Sequence, residues 1–74
     1  MSQHDTAVTI IERAINSLET ARPEAHLIYS STSHAAVTLA HELSVIDGKE
    51  YLRYCERIRA IDARFMGIDL RATA

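Results

Sequence analysis

The segment from Ala25 to His41 reads AHLIYSSTSHAAVTLAH, and it contains no aspartate, glutamate, lysine or arginine. It lies in a chain of 74 residues in which 24% of the residues are charged. A helix that packs on one side only normally carries charged side chains on its outer face. A helix with Ser, Thr, Ala and His in their place is expected to be covered on more than one side. In so small a chain, we expect the second cover to come from another molecule.

The length and composition indicate one small domain that needs support beyond its own core. A chain of 74 residues buries only about 60% of the surface that its unfolded form exposes, so a lone core is marginal. Cys55 is the only cysteine and cannot form an internal disulfide. We therefore predict a single helical domain over residues 1–74, with frayed ends at 1–4 and 69–74, that is stabilised as a homodimer.

The sequence argues against a membrane partner and only weakly allows a nucleic-acid partner. Residues 1–5 lack the basic start and apolar run of a signal peptide, and no window reaches the roughly 18 apolar residues of a membrane span. The net charge is −2, which disfavours nucleic acid as the main partner. A cytoplasmic protein is the expectation.

Hydrophobic spacing predicts three helices and therefore an all-α fold. The first helix is expected to open at Asp5 or Thr6, either of which is a good N-cap. It should stop near Arg22, because the residue before a proline is pushed away from helical geometry. The second helix is expected to begin at Pro23, which suits a first helical turn, and to run to Ile46.

The weakest point of the second helix is its run of four hydroxyl residues at 30–33. Such residues lower helix propensity and offer an alternative start for a new helix near His34. We favour one continuous helix. With the third helix it should form an antiparallel hairpin, and helix one should pack across that hairpin.

The third helix is predicted over residues 48–66, with a left-handed glycine at its start. Asp47 and Glu50 have the spacing of a capping box, in which each side chain bonds the backbone N–H of the other residue. Gly67 suits a C-terminal cap, and Ile68 is placed to fold back as its hydrophobic partner.

The second helix divides into three stripes. The main apolar stripe is expected to meet helix one or helix three, and it comprises Ile28, Thr32, Ala35, Leu39, Leu43 and Ile46. A seam that lets another helix approach closely comprises Tyr29, Ser33, Ala36, Ala40 and Ser44. A polar stripe, which is either the wet face or part of an interface, comprises Ser30, His34, Thr38 and His41. Because a wet face rarely lacks Lys and Glu, we predict a dimer or partner interface of Tyr29, Ser33, His34, Ala36, Ala40, His41 and Ser44.

The residues with catalytic or metal-binding potential do not form a recognisable site. His34 and His41 are seven residues apart, about 10 Å along a helix, so they cannot bind one metal ion together. Cys55 falls on the apolar side of helix three and is expected in the core. Asp62 lies on that side too and needs either His34, His41 or Arg59 as a partner or an edge position open to water. We expect no catalytic residue, metal, cofactor or enzymatic activity.

An arginine face on the third helix is the second candidate surface. Arg53, Arg57 and Arg64 share this face, which suits phosphates or an acidic protein surface. The alternative is a solvated face that pairs partly with Glu50 and Glu56.

The end of the second helix resembles the first half of a helix-turn-helix motif, through Leu39, Ala40, Leu43 and Val45. The motif usually has glycine at the position of Ser44, and apolar residues at the positions of Glu50 and Arg53. The resemblance covers about ten residues and implies DNA binding through the helix that follows the turn.

These observations favour a non-enzymatic helical interaction module. We expect a homodimeric regulator or inhibitor that binds another protein and blocks or recruits it. The short helical hairpin with its Asp-Gly turn is similar to many compact accessory proteins of phages and plasmids, which implies the same kind of role. The alternative is a small dimeric DNA-binding transcriptional regulator that uses the arginine face.

Overall fold

Three α-helices make up most of the chain. A computed structural model describes residues 2–67, and this part contains no β-strand. The helices are α1 (Gln3–Glu19), α2 (His26–Glu42) and α3 (Gly48–Phe65). A single 3-10 turn at Pro23–Ala25 leads into α2. The predicted all-α class is confirmed.

Helix α1 begins and ends earlier than the sequence predicted. Its N-cap is Ser2, whose Oγ accepts a hydrogen bond from the backbone N–H of Asp5 at 3.0 Å. The start of the chain, predicted to fray, therefore belongs to the helix from Gln3 onward. At the other end the helix stops at Glu19, and the backbone at Arg22 is extended, with φ −70° and ψ 155°, as the following proline favours.

Helix α2 is continuous through its hydroxyl run, as predicted. The hydroxyls of Thr32 and Ser33 donate to the carbonyl oxygens of Ile28 and Tyr29, one turn earlier, at 2.9 and 2.8 Å. Each of these carbonyl oxygens can accept the hydroxyl as well as the helical N–H, so the hydroxyls are satisfied without breaking the helix. The helix ends at Glu42, well before Ile46.

The connection between α2 and α3 contains one left-handed residue, and it is not the predicted one. Ser44 has a φ of +60°, whereas Gly48 is the first residue of α3. The predicted capping box is present: Asp47 Oδ1 accepts from the N–H of Glu50 at 2.8 Å, and Glu50 Oε1 accepts from the N–H of Asp47 at 3.1 Å. These bonds satisfy two backbone donors at the start of α3.

The end of α3 also follows the local signals. Gly67 has a φ of +69°, and its N–H donates to the carbonyl of Arg64 at 3.2 Å, which ends the helix. The predicted contact of Ile68 and the predicted frayed tail at 69–74 lie outside the described residues.

The core draws large aliphatic side chains from α1 and α3 but small ones from α2. The buried apolar residues are Ile11, Ile15, Leu18, Val37, Ala40, Ile46, Tyr54, Ile58 and Ile61. Helix α2 packs against both other helices and adds the buried polar residues His26, Ser30 and Ser33. Small side chains on α2 thus fill the space that the large side chains opposite leave.

The predicted apolar stripe of α2 is turned away from the core, so that prediction is wrong. Ile28, Leu39 and Leu43 are largely exposed, and only Ile46, beyond the end of the helix, is buried. The face that packs inside is the seam of smaller residues together with part of the polar stripe. Large residues from both neighbours already fill the interior, and a second large layer would overpack it.

Candidate interaction surface

The outer face of α2 presents large aliphatic side chains to solvent. We define the outer stripe as Ile28, Thr32, Ala35, Leu39 and Leu43, all of which are exposed. Leu43, Leu39 and Ile28 expose 65%, 60% and 68% of their surface. No Asp, Glu, Lys or Arg occurs between Ala25 and His41 to interrupt this face. Single exposed aliphatic residues are ordinary on a protein surface, whereas large contiguous apolar patches are typical of interaction surfaces.

A groove between α1 and α2 adjoins one end of the outer stripe. It encloses about 540 Å³, and its walls include Ile10 from α1, Leu39 and Leu43 from α2, and Val45 from the connection. Among the residues that the structure describes, no charged side chain lines this groove. Ile10 is 53% exposed in this groove. The groove therefore extends the apolar surface from α2 onto α1.

Two residues of the predicted dimer or partner interface are used inside the chain. Ser33 is completely buried and Ala40 is nearly so. Ala40 belongs to the core, and Ser33 lies on the same inward side of α2. Neither side chain is therefore accessible to a second molecule in this fold.

The other five residues of that predicted interface lie in different places. His34 and His41 face α3: His34 Nε2 is 3.9 Å from Asp62 Oδ2, and the ring of His41 stacks on that of Tyr51 with 4.4 Å between centroids. Ala36 and Tyr29 lie elsewhere on α2, where Ala36 is half-buried and Tyr29 is exposed. Ser44 follows the helix and is exposed. The structure does not bring the seven together as one surface.

Asp62 is paired, and its main partners differ from those that the sequence suggested. His26 Nε2 lies 2.7 Å from Asp62 Oδ1, and the Ser30 hydroxyl donates to Asp62 Oδ2 at 3.0 Å. The ring of His26 also stacks on Phe65, with 3.8 Å between centroids and 4° between planes. The signal in the sequence was the spacing of His26 and Ser30, four residues apart and hence on one side of a helix.

This polar cluster has the composition of a catalytic triad but not its geometry. In a triad the serine bonds the histidine, which the carboxylate orients. Here Ser30 and His26 both bind Asp62, and both are buried. The cluster therefore joins α2 to α3 and satisfies polar groups that would be costly to bury alone.

Cys55 lies half-buried against the core, as part of the packing between α2 and α3. A hydrogen bond with the Cys55 thiol raises the pKa of Tyr51. Within residues 2–67, no three His, Cys, Asp or Glu side chains are placed to hold a metal ion.

The arginine face is partly tied down by contacts within the chain. Arg57 Nη1 donates to Glu12 Oε2 at 2.7 Å, which links α3 to α1. This hydrogen bond holds the pKa of Glu12 below its ordinary value and raises that of Arg57. The guanidinium groups of Arg53 and Arg57 also lie 5.7 and 5.8 Å from the ring centre of Tyr54, within cation–π range.

The two acids predicted to pair with the arginine face have other partners. Glu50 lies 2.6 Å from His4 Nε2, and Glu56 lies 3.2 Å from Arg59. The pKa of Glu50 is lowered, first by its hydrogen bond with the backbone of Asp47 and then by His4. Both acids are therefore engaged away from the arginine row.

Comparison with known proteins does not indicate a function for the outer stripe or the groove. No family model, curated protein or solved structure matches the chain. No helix in the described range 2–67 is long and apolar enough to cross a membrane. The outer stripe and the adjoining groove are thus the features on which a function can be argued.

Proposed function

We propose that this chain is a non-enzymatic protein–protein interaction module that acts as a homodimer. In this proposal, α2 and α3 form an antiparallel hairpin that presents the outer stripe, and the dimer blocks or recruits another protein. The observation that carries the proposal is the exposure of Ile28 and Leu39 within the uncharged segment from Ala25 to His41, and of Leu43 two residues beyond it.

The energetic balance supports association of the chain through this surface. Four aliphatic side chains of the outer stripe and the groove are more than half exposed: Ile10, Ile28, Leu39 and Leu43. Complete burial of an exposed Leu or Ile stabilises by about 1.5–3 kcal/mol, so the exposed parts of these four, in two copies, offer roughly 7–15 kcal/mol. Association itself costs about 4–15 kcal/mol. Micromolar affinity needs a net of about 8 kcal/mol, which is reached when the cost lies at the low end of this range.

The oligomeric state tests this proposal directly. Light scattering at micromolar concentrations should give twice the monomer mass of 8.3 kDa. Leu39→Lys should shift the protein toward monomer, because it places a charge in the centre of the apolar face. Leu52→Lys is the matched control: Leu52 is 63% exposed but lies on α3. A monomeric native protein, or equal loss of dimer in both variants, would refute the proposal.

The alternative function is DNA binding through the arginine face. A helix-turn-helix places its two helices at about 90–120°. Here α2 touches α3 near both of its ends, through His26 with Asp62 and His41 with Tyr51. The pairing of Arg57 with Glu12 further reduces the positive charge that this face offers to phosphate. These contacts favour the protein-interaction function.

A salt titration with a DNA duplex separates the two functions. Binding through arginines would weaken steeply with salt, with a log–log slope set by the number of phosphates neutralised. We expect no specific duplex binding at physiological salt. Tight binding that Arg53→Glu and Arg64→Glu together abolish, with an unchanged helical spectrum, would establish the alternative.

A further inference from the structure

The outer stripe has a nearly palindromic pattern along α2. Ile28 precedes Ala35 by seven residues, and Leu43 follows Ala36 by seven. Thr32 precedes Ala35 by three residues, and Leu39 follows Ala36 by three. The side chains are thus large at the two ends of the stripe and small in the middle.

A palindromic stripe matches a second copy of itself in the opposite direction. In a two-fold antiparallel helix pair, residues at equal distances from the axis face each other across the interface. With the axis between Ala35 and Ala36, Ile28 faces Leu43 of the other copy, and Thr32 faces Leu39. Small alanines at the crossing point allow the helices to approach closely, and large residues meet at both ends.

The shape of the surface supports the same arrangement. The start of α2 carries the exposed side chain of Ile28, which exposes 68% of its surface. The end of α2 borders the groove of about 540 Å³ between Ile10, Leu39 and Leu43. An antiparallel partner brings its own Ile28 to this groove, and two-fold symmetry makes both such contacts at once.

We infer that a second copy of this chain crosses α2 antiparallel, about a two-fold axis between Ala35 and Ala36. Ile28 of each copy then lies against Leu43 at the mouth of the α1–α2 groove of the other. This inference rests on the proposed homodimer and specifies its interface.

The available surface and charge are consistent with such a dimer. A stable interface buries about 800 Å² on each partner, of which a little over half is apolar. The exposed parts of Ile10, Ile28, Leu39 and Leu43 supply roughly 200 Å² of apolar area, since full burial of each such side chain corresponds to about 60–120 Å². Thr32, Ala35 and the neighbouring α2 surface add to this area. Because the five residues of the stripe are uncharged, their own burial removes no charge from water.

Disulfide trapping tests the register of the two helices. In a Cys55→Ser background, protein with Ile28→Cys is mixed with protein carrying Leu43→Cys and oxidised. The mixture should yield a cross-linked heterodimer, because a disulfide needs Cα atoms within about 7 Å. Neither variant should cross-link by itself, since the two copies of residue 28 would lie about 22 Å apart along the helices. Cross-linking of the Ile28→Cys variant alone would indicate a parallel pair and overturn the inference.

A charge-pair experiment covers the case in which cysteine substitution disturbs the contact. Ile28→Lys and Leu43→Glu should each weaken the dimer by at least tenfold. Together in one chain they should restore much of the affinity, because each lysine then faces a glutamate. As a control, Ile28→Lys with Leu52→Glu should show no recovery, since Leu52 lies on α3.

These outcomes distinguish the two proposals. If the native chain is a monomer by light scattering, the proposed function fails. If it is a dimer but neither the trapped pair nor the charge pair behaves as expected, only the inferred interface is wrong.

Discussion

Replacing Asp62 with alanine should remove the polar link between α2 and α3. The carboxylate lies 2.7 Å from His26 Nε2 and accepts a hydrogen bond from the Ser30 hydroxyl at 3.0 Å. His26 and Ser30 are both buried. In the variant, the polar atoms of His26 and Ser30 would lose their hydrogen-bond partner while they stay largely shielded from water. A buried polar atom without a partner is costly, because no water replaces the lost hydrogen bond.

The size of the effect follows from these two contacts. A hydrogen bond to a charged group contributes about 1.5–3 kcal/mol. The Asp62 side chain is 26% exposed, so water screens it in part and the lower end applies. We expect the free energy of unfolding to fall by about 2–3 kcal/mol in total. The core of a domain of this size rarely supplies more than about 3–5 kcal/mol of stability, so this loss is a large part of the total. Each kcal/mol lost lowers the thermal midpoint by about 4–8 °C, so the midpoint should drop by roughly 10–20 °C.

Urea and thermal unfolding followed by circular dichroism measure this loss, at one fixed protein concentration. Asp62→Asn should cost less, because it keeps one acceptor oxygen and the shape of the side chain. Glu56→Ala is the matched surface control, since its exposed pair with Arg59 should contribute under about 1 kcal/mol. If Asp62→Ala costs no more than Glu56→Ala, the His26–Asp62–Ser30 cluster does not stabilise the fold.

Three further substitutions test other parts of the molecule. Ala40→Glu should reduce stability in urea by more than about 3 kcal/mol, because it buries a carboxylate in the core. Glu12→Gln should make the stability of the protein less sensitive to acid. The hydrogen bond with Arg57 lowers the pKa of Glu12, so the pair stabilises the fold fully above the ordinary pKa of 4.5, and this stabilisation is lost as the pH falls through the lowered pKa. Ser44→Gly should raise the free energy of unfolding by up to about 1 kcal/mol and raise the thermal midpoint with it. Ser44 has a φ of +60°, which glycine adopts without steric cost.

Each of these predictions has an opposing result. A stably folded, monomeric Ala40→Glu protein would place Ala40 at an interface instead of in the core. Urea midpoints of Glu12→Gln that track the native protein from pH 7 to pH 3 would show that the pair with Arg57 contributes nothing. A lower midpoint for Ser44→Gly would mean that the serine side chain outweighs its backbone strain.

The helix boundaries were predictable where a local backbone signal sets them. Pro23 requires an extended residue before it, the side chains of Asp47 and Glu50 bond the first turn of α3, and Gly67 adopts the left-handed conformation that ends it. Each signal acts within a few residues, so it can be read along the chain. Where several residues could cap a helix, the predicted boundary was wrong by a few residues. Ser2 caps α1 in place of the predicted Asp5 or Thr6.

The candidate surface was harder to predict, because it depends on which face of α2 is buried. The uncharged segment drew attention to this helix, but its largest aliphatic residues were assigned to the core. The structure buries Ser33 and Ala40 and exposes Leu39. The Ser33 hydroxyl bonds the carbonyl of Tyr29 in its own helix, so burying it is far cheaper than its polarity suggests.

The sequence by itself determined the all-α class, the three helices and the uncharged character of the second one from Ala25 to His41. Those properties follow from local propensities and from residue types. Only the tertiary structure decided which face of α2 turns inward, because the large side chains of Ile11, Ile15 and Ile58 leave room for small ones opposite. It also paired His26 with Asp62, 36 residues away, since such a contact depends on how whole helices pack. Spacing along one helix cannot specify its neighbours.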